Sequence, residues 1–273
     1  MPIIDATNAD LEKQRDWGNR FETLKHIHHY MSLAKFNRLH SIVMKSRLYF
    51  ASLKQLNDPF DGAISIDFDA TPEEIRAFWT ERALERGLNL AAAQPRIEQF
   101  VSGRDSADNR AQMNKLLANA IAPFGVVCFS EPDNDLLMWS YYAHGHAGVC
   151  LRFHARALIE LASPGPPVQV AYEADYPRIS FYRDSRFRRT WGQFATKSLV
   201  WQHEQEWRIV RLHGARSKQS FDPASLDAII MGCKISSQNE GRIRRMVRER
   251  VPKVKLLKAE AAADAFRLDM TPA

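Results

Sequence analysis

FGVVCFSEPDNDLLMWSYYAHGHAGVCLRF, residues 124–153, places a short polar and aromatic stretch between two apolar runs. Phe124–Ser130 is an apolar run of strand length and reads as a buried strand. Asn134–Ala143 reads as a short helix, and Ala147–Phe153 as another strand. The same alternation extends outward. Upstream, Lys25–Met31 reads as a first strand, Ser32–Ser46 as a helix capped by Ser32, and Arg47–Ala51 as a second strand. Downstream, strands are expected at Val168–Tyr172, Glu204–Leu212 and Leu226–Met231, a helix at Arg183–Leu199, and a closing hairpin from Val254–Ala259 and Phe266–Leu268. Single helices between short strands predict an α+β fold in one domain, not a regular βαβ repeat. That domain is expected over residues 21–273, after a polar lead-in at 1–20. Residues 71–122 read as a helical insertion of about three helices, opened by Thr71-Pro-Glu-Glu, which pairs a cap with an N1 proline and an acidic first turn.

The 273 residues are 45% hydrophobic and 26% charged, as in ordinary globular chains. No window approaches the ~18 apolar residues of a membrane span, so no membrane partner is expected. The N-terminus lacks the apolar stretch of a secretion signal. Cys128, Cys150 and Cys233 lie far apart in apolar runs and read as buried free thiols of a reducing cytoplasm. None has zinc-site spacing, and no metal is assigned. The whole net charge of +6 sits between Ser236 and Lys258, where eight basic residues face Glu240 and Glu249. The stretch 242–258 is a candidate nucleic-acid surface. Its alternative is a solvated helix with Ile243, Met246, Val247 and Val251 inward. A second basic cluster, Arg183, Arg186, Arg188 and Arg189, has aromatic neighbours that suit phosphate or base contact, or a surface loop.

Three constellations carry candidate chemistry. Met138–Cys150 concentrates Trp139, Tyr141, Tyr142, His144 and His146. Its rings suit a planar ligand, and histidine titrates near neutrality. On a strand the two histidines would share a face; otherwise they are turn residues. Trp201–Arg208 places Glu204 and Glu206 two apart at a strand start. Alternation would put both carboxylates and Arg208 on one face, where each raises the other's pKa. Asn57-Asp58-Pro59-Phe60-Asp61 is either a self-capped loop or a source of ligand oxygens. His28-His29-Tyr30 lies on the first strand. Dinucleotide-fold, P-loop, zincin and α/β-hydrolase motifs do not occur.

In order, these segments resemble the bacterial family known as domain of unknown function 2971. The matching motifs are His28-His29-Tyr30, Leu48–Ser52, Leu56–Asp61, Cys128–Ser130, Met138–Cys150, Val170-Ala-Tyr172 and Lys197–Arg208, between about residues 25 and 260. His29 stands where a lysine is usual and Tyr141 where a histidine is usual. More distantly the order resembles ADP-ribosyltransferase-like domains, with His29 or Tyr30 on an early strand, Ser130 or Tyr142 next, and Glu206 late. That resemblance implies a small, mostly antiparallel split sheet, flanked by helices, around a nicotinamide pocket. It implies NAD as substrate, cleaved by a transferase or glycohydrolase. Glu206, Glu204, Tyr142 and His29 would be catalytic. Tyr30, Asn57, Asp58, Ser130, Trp139, His146 and Arg208 would contact the nucleotide. The alternatives are a nucleic-acid-directed defence protein and a non-catalytic module that binds a small ligand or partner.

Overall fold

The structure, a computed structural model, describes residues 6–63, 65–104, 106–250 and 253–273. In chain order its elements are α1 (Asn8–Thr23), β1 (His26–Met31), α2 (Phe36–Lys45), β2 (Arg47–Phe50), β3 (Ile66–Asp67), α3 (Pro72–Glu85), α4 (Leu90–Ser102), α5 (Ala107–Ile121), β4 (Gly125–Ser130), α6 (Leu136–Tyr141), β5 (Val149–His154), β6 (Val168–Gln169), β7 (Ala171–Glu173), β8 (Ile179–Ser180), α7 (Arg186–Ala195), β9 (Thr196–Ser198), β10 (Glu206–Arg211), β11 (Ser217–Ser220), β12 (Leu226–Met231), α8 (Ser237–Arg248), β13 (Lys255–Ala261) and β14 (Leu268–Pro272). Local chemistry sets many of these ends. Thr7 and Thr71 each form a reciprocal cap with the acid three residues on, Asp10 and Glu74. Ser32 caps a 3-10 turn, Leu33–Lys35, that leads into α2.

Eight strands form one sheet in the order β14-β13-β12-β5-β1-β4-β10-β6. Every neighbouring pair is antiparallel except β12 with β13. The α+β class and the antiparallel bias agree with the sequence, but the sheet is large, not small. The reason lies in β12, which is buried at all six positions. Its backbone groups need partners on both edges. They find β5 on one side and β13 on the other, so the C-terminal hairpin extends the central ladder.

The sheet parts at its middle. β1 keeps six ladder pairs with β5, whereas its ladder with β4 consists of His28 opposite Ser130. Side chains of β1 bridge the gap instead. His29 Nδ1 donates to the Cys128 carbonyl (2.9 Å), and the Tyr30 hydroxyl to the Pro132 carbonyl (2.9 Å). Helices α3–α5 pack a separate apolar cluster, in which Ile75, Phe78, Phe100 and Met113 meet Ile179 and Phe181.

Three boundaries differ from the sequence reading. α7 stops at Ala195, and Thr196–Ser198 pairs in parallel with β7. The strand expected from Glu204 begins at Glu206, because Leu199–Glu204 winds as a 3-10 turn and Gln205 is left-handed (φ 43°). His144 and His146 are also left-handed (φ 52° and 69°) and sit in the turn before β5. They therefore share no strand face. That turn is closed by Gly148, where an added Cβ would lie 2.4 Å from the Met31 carbonyl oxygen and 2.8 Å from that of Ala143. Gly148→Ala should cost about 1–3 kcal/mol, read as a lower midpoint in thermal unfolding; an unchanged midpoint would contradict this close approach.

The basic segment is largely engaged within the fold. Arg244 and Lys258 share Glu240 (2.7 and 3.5 Å), and Lys255 pairs with Asp227 (2.9 Å). The Arg242 guanidinium lies 3.5 Å from the Phe36 ring centre. Ile243, Met246 and Val247 form the buried stripe of α8; Val251 lies outside the described residues. The second cluster packs against α3: Arg183 pairs with Glu74 (2.8 Å), and Arg189 is buried against Phe78 and Phe181. The three cysteines are free, with Cys150 buried and the other two half-buried. No helix among the described residues is long and apolar enough to cross a membrane.

Candidate active site

β10 alternates from Glu206 to Ile209. Trp207 and Ile209 enter the main core, while Glu206 and Arg208 project to the other face. That face is buried too. Arg208 is 0% exposed and Glu206 4%. Charged groups so deep require partners. Arg208 meets Glu206 through Nε and Nη2 (2.8 and 3.0 Å) and Asp61 through Nη1 and Nη2 (2.8 and 2.7 Å). Lys197, from β9, lies 3.3 Å from Glu206 Oε2 and 2.6 Å from Glu204 Oε2. The Tyr142 hydroxyl donates to Glu204 Oε1 (2.6 Å) and accepts from Asn57 Nδ2 (3.2 Å). Ser130 donates to the Glu204 carbonyl (2.5 Å), and the Tyr172 hydroxyl accepts from the Glu206 N–H (2.8 Å).

Three carboxylates thus face two cations, which leaves one negative charge without a match. The two glutamates respond in opposite directions. Burial raises the pKa of Glu206, but Arg208 and Lys197 outweigh it and hold the group down at about 2. For Glu204, burial and the neighbouring Glu206 charge win over Lys197, and the carboxyl is pushed above its ordinary range. Glu206 stabilises the fold above the ordinary glutamate value of 4.5, and that contribution is lost as the pH falls from there toward about 2. Glu204 has the reverse sign and costs stability once the pH exceeds 4.5. Glu204→Gln should therefore raise the thermal midpoint at neutral pH, with the gain vanishing below 4.5. A midpoint lower than that of the wild type at neutral pH would contradict the excess of negative charge.

The first strand supplies two neutral bases. A carbonyl only accepts, so His29 donates from Nδ1 to Cys128 and keeps a lone pair on Nε2. His28 does the same toward the Glu131 carbonyl (2.8 Å), and its Nε2 is buried without a hydrogen-bond partner. Burial lowers the pKa of both rings. Burial also pushes the Cys128 thiol up, so it offers no thiolate.

These groups line a pit of about 90 Å³ at the parting between β1 and β4. His29, Tyr30, Asn57, Ser130, Tyr142, Glu204 and Glu206 meet there. Four residues expected at the site lie elsewhere or have no free surface. Trp139 is fully buried; its indole N–H donates to the Asp133 carbonyl (2.8 Å) and its ring braces Tyr30. It presents no surface to a ligand. Arg208 likewise has none, and serves Glu206 and Asp61. Asp58 caps its own loop at the Phe60 N–H (2.9 Å) and faces a different cavity. His146 lines a different cavity, stacked against Trp139, with Nε2 3.2 Å from the Ser140 hydroxyl. The sequence reading missed Lys197, Asp61 and Tyr172 as members of the cluster. Lys197 was legible in principle, since two adjacent buried carboxylates need more than one arginine.

Among the described residues, one group of side chains could hold a cation. His26, His154 and Asp227 bring ligand atoms within 4.8 Å of one another. Arg152 and Lys255 already hold Asp227 at 2.7 and 2.9 Å, so an ion there would meet two positive side chains.

Residues 138–209 match the family model described as a protein of unknown function, DUF2971. The segment carries Tyr142, Lys197, Glu204, Glu206 and Arg208, and the resemblance to that family holds across it. No curated protein and no solved structure matches the chain.

Proposed function

We propose that the pit is the active site of an ADP-ribosyltransferase-like enzyme that cleaves NAD, as a transferase or a glycohydrolase. One observation carries this reading. The pit holds a buried carboxylate, Glu204, in a cluster with one more carboxylate than cations, and its two oxygens are fixed by Tyr142 and Lys197. Such a group suits a reaction that develops positive charge on a sugar. The C1′–N bond breaks with both electrons passing to the pyridinium nitrogen, so nicotinamide leaves neutral. Positive charge moves to the ribose ring. Glu204 accepts a ribose hydroxyl and faces that charge. The lone pair on His29 Nε2 accepts a second hydroxyl. Water, or an acceptor's hydroxyl or amine, then bonds to C1′ and gives its proton to Glu204, which passes it to solvent. Glu206 takes the structural part here, fixed by Arg208 and Lys197.

Mass spectrometry of NAD incubated with the protein tests this, with and without a cell lysate as acceptor source. The expected products are nicotinamide with free or protein-linked ADP-ribose. Intact NAD under both conditions would overturn the proposal.

A further inference from the structure

The pit opens onto a groove of about 510 Å³, and His29, Tyr30, Asn57 and Tyr142 line both. Four cations border the groove: Lys35 ahead of α2, Arg38 in its first turn, Arg47 on β2 and Lys218 on β11. The β2–β11 ladder, in which Lys218 stands opposite Tyr49, brings the last two together. All four are exposed, no described carboxylate lines the groove, and none of the four pairs with a described acid. The Arg38 guanidinium lies 5.9 Å from the Tyr49 ring centre. Outside the groove, Arg152, Arg183, Arg188, Arg208 and Arg244 each pair with an acid. Unmatched like charges around a concavity repel one another and focus a positive potential on its interior.

We infer that this groove holds the diphosphate of a nucleotide whose other end enters the pit. The charges run in opposite sense, positive along the groove and negative at the pit floor. Their complement is a molecule with a cationic ring at one end and a diphosphate further along, which is the charge layout of a pyridinium dinucleotide. The identity of the inner end rests on the NAD-cleaving role proposed for the pit; the anion-binding role of the groove rests on its own four cations. The substrate then lies with its pyridinium toward Glu204 and its adenylate outward, past Arg38 and Lys218.

Titration calorimetry with ADP tests the groove apart from the chemistry, because ADP lacks the ribose that Glu204 would hold. The wild type is compared with the triple variant Arg38→Glu, Arg47→Glu, Lys218→Glu, whose exposed positions leave the core untouched. Without these charge-assisted hydrogen bonds, ADP binding should weaken on the order of 100-fold. Equal affinity in the two proteins, or no binding by the wild type, would overturn the inference. Nicotinamide release reads the other claim. ADP binding abolished in the triple variant, with no release by the wild type, would support the groove and remove the NAD reading. Release unchanged in the triple variant would do the opposite. Tighter binding of a short oligonucleotide than of ADP would overturn the dinucleotide assignment in favour of a nucleic-acid ligand.

Discussion

Arg208→Met should unfold the protein far more readily than any surface change. The guanidinium has no exposed surface and satisfies two buried carboxylates and the Phe194 carbonyl. Its removal leaves Asp61 without a cation and Glu206 with Lys197 as its remaining one. Removing one member of a buried pair costs about 3–5 kcal/mol. In a chain of this size that lowers the thermal midpoint by roughly 10 °C. Acid should narrow the gap, because a protonated Glu206 no longer needs a cation. Arg208→Lys should recover only part of the loss, since an ammonium cannot serve two carboxylates side-on. A methionine variant that melts with the wild type would contradict the picture of a buried, charge-matched cluster.

Glu204→Gln should abolish nicotinamide release, by about 10²–10⁴-fold, in a protein that folds at least as well as the wild type. The amide keeps the size of the side chain and lets Lys197 rest on Glu206. It removes the charge that faces the developing cation. Glu204→Asp restores the charge one methylene short and should recover part of the rate. The wild-type rate should fall in acid with an apparent pKa above the ordinary 4.5, as Glu204 takes up a proton. Glu206→Gln gives a less clean answer, because it also disturbs Arg208. Full release by the Glu204→Gln variant would remove this residue from the chemistry.

Much of the scaffold was legible because its signals are local. The Thr71 cap, the apolar run before Ser130 and the alternation at Trp207 and Ile209 each depend on neighbours within a few residues. The size of the sheet was not, since β12 and β13 pair across the intervening α8. For the site, spacing alone brought Glu204 and Glu206 to attention, and they do converge. They converge through a left-handed Gln205 and through Lys197, not by strand alternation. Spacing could not tell which glutamate is neutralised, because that depends on where Asp61 and Arg208 meet, far apart in sequence. Aromatic content misled at Trp139 for a similar reason. A tryptophan beside two tyrosines reads as a ligand clamp, yet its indole N–H has a backbone partner and its faces are covered. The groove cations were invisible, since Lys35, Arg38, Arg47 and Lys218 form no run and no motif.

Nicotinamide release from NAD, measured for the wild type and Glu204→Gln side by side, bears most directly on the function of the pit. The account predicts release by the wild type and none by the variant, with both proteins folded. Equal release by both, or by neither even with lysate acceptors present, would contradict it.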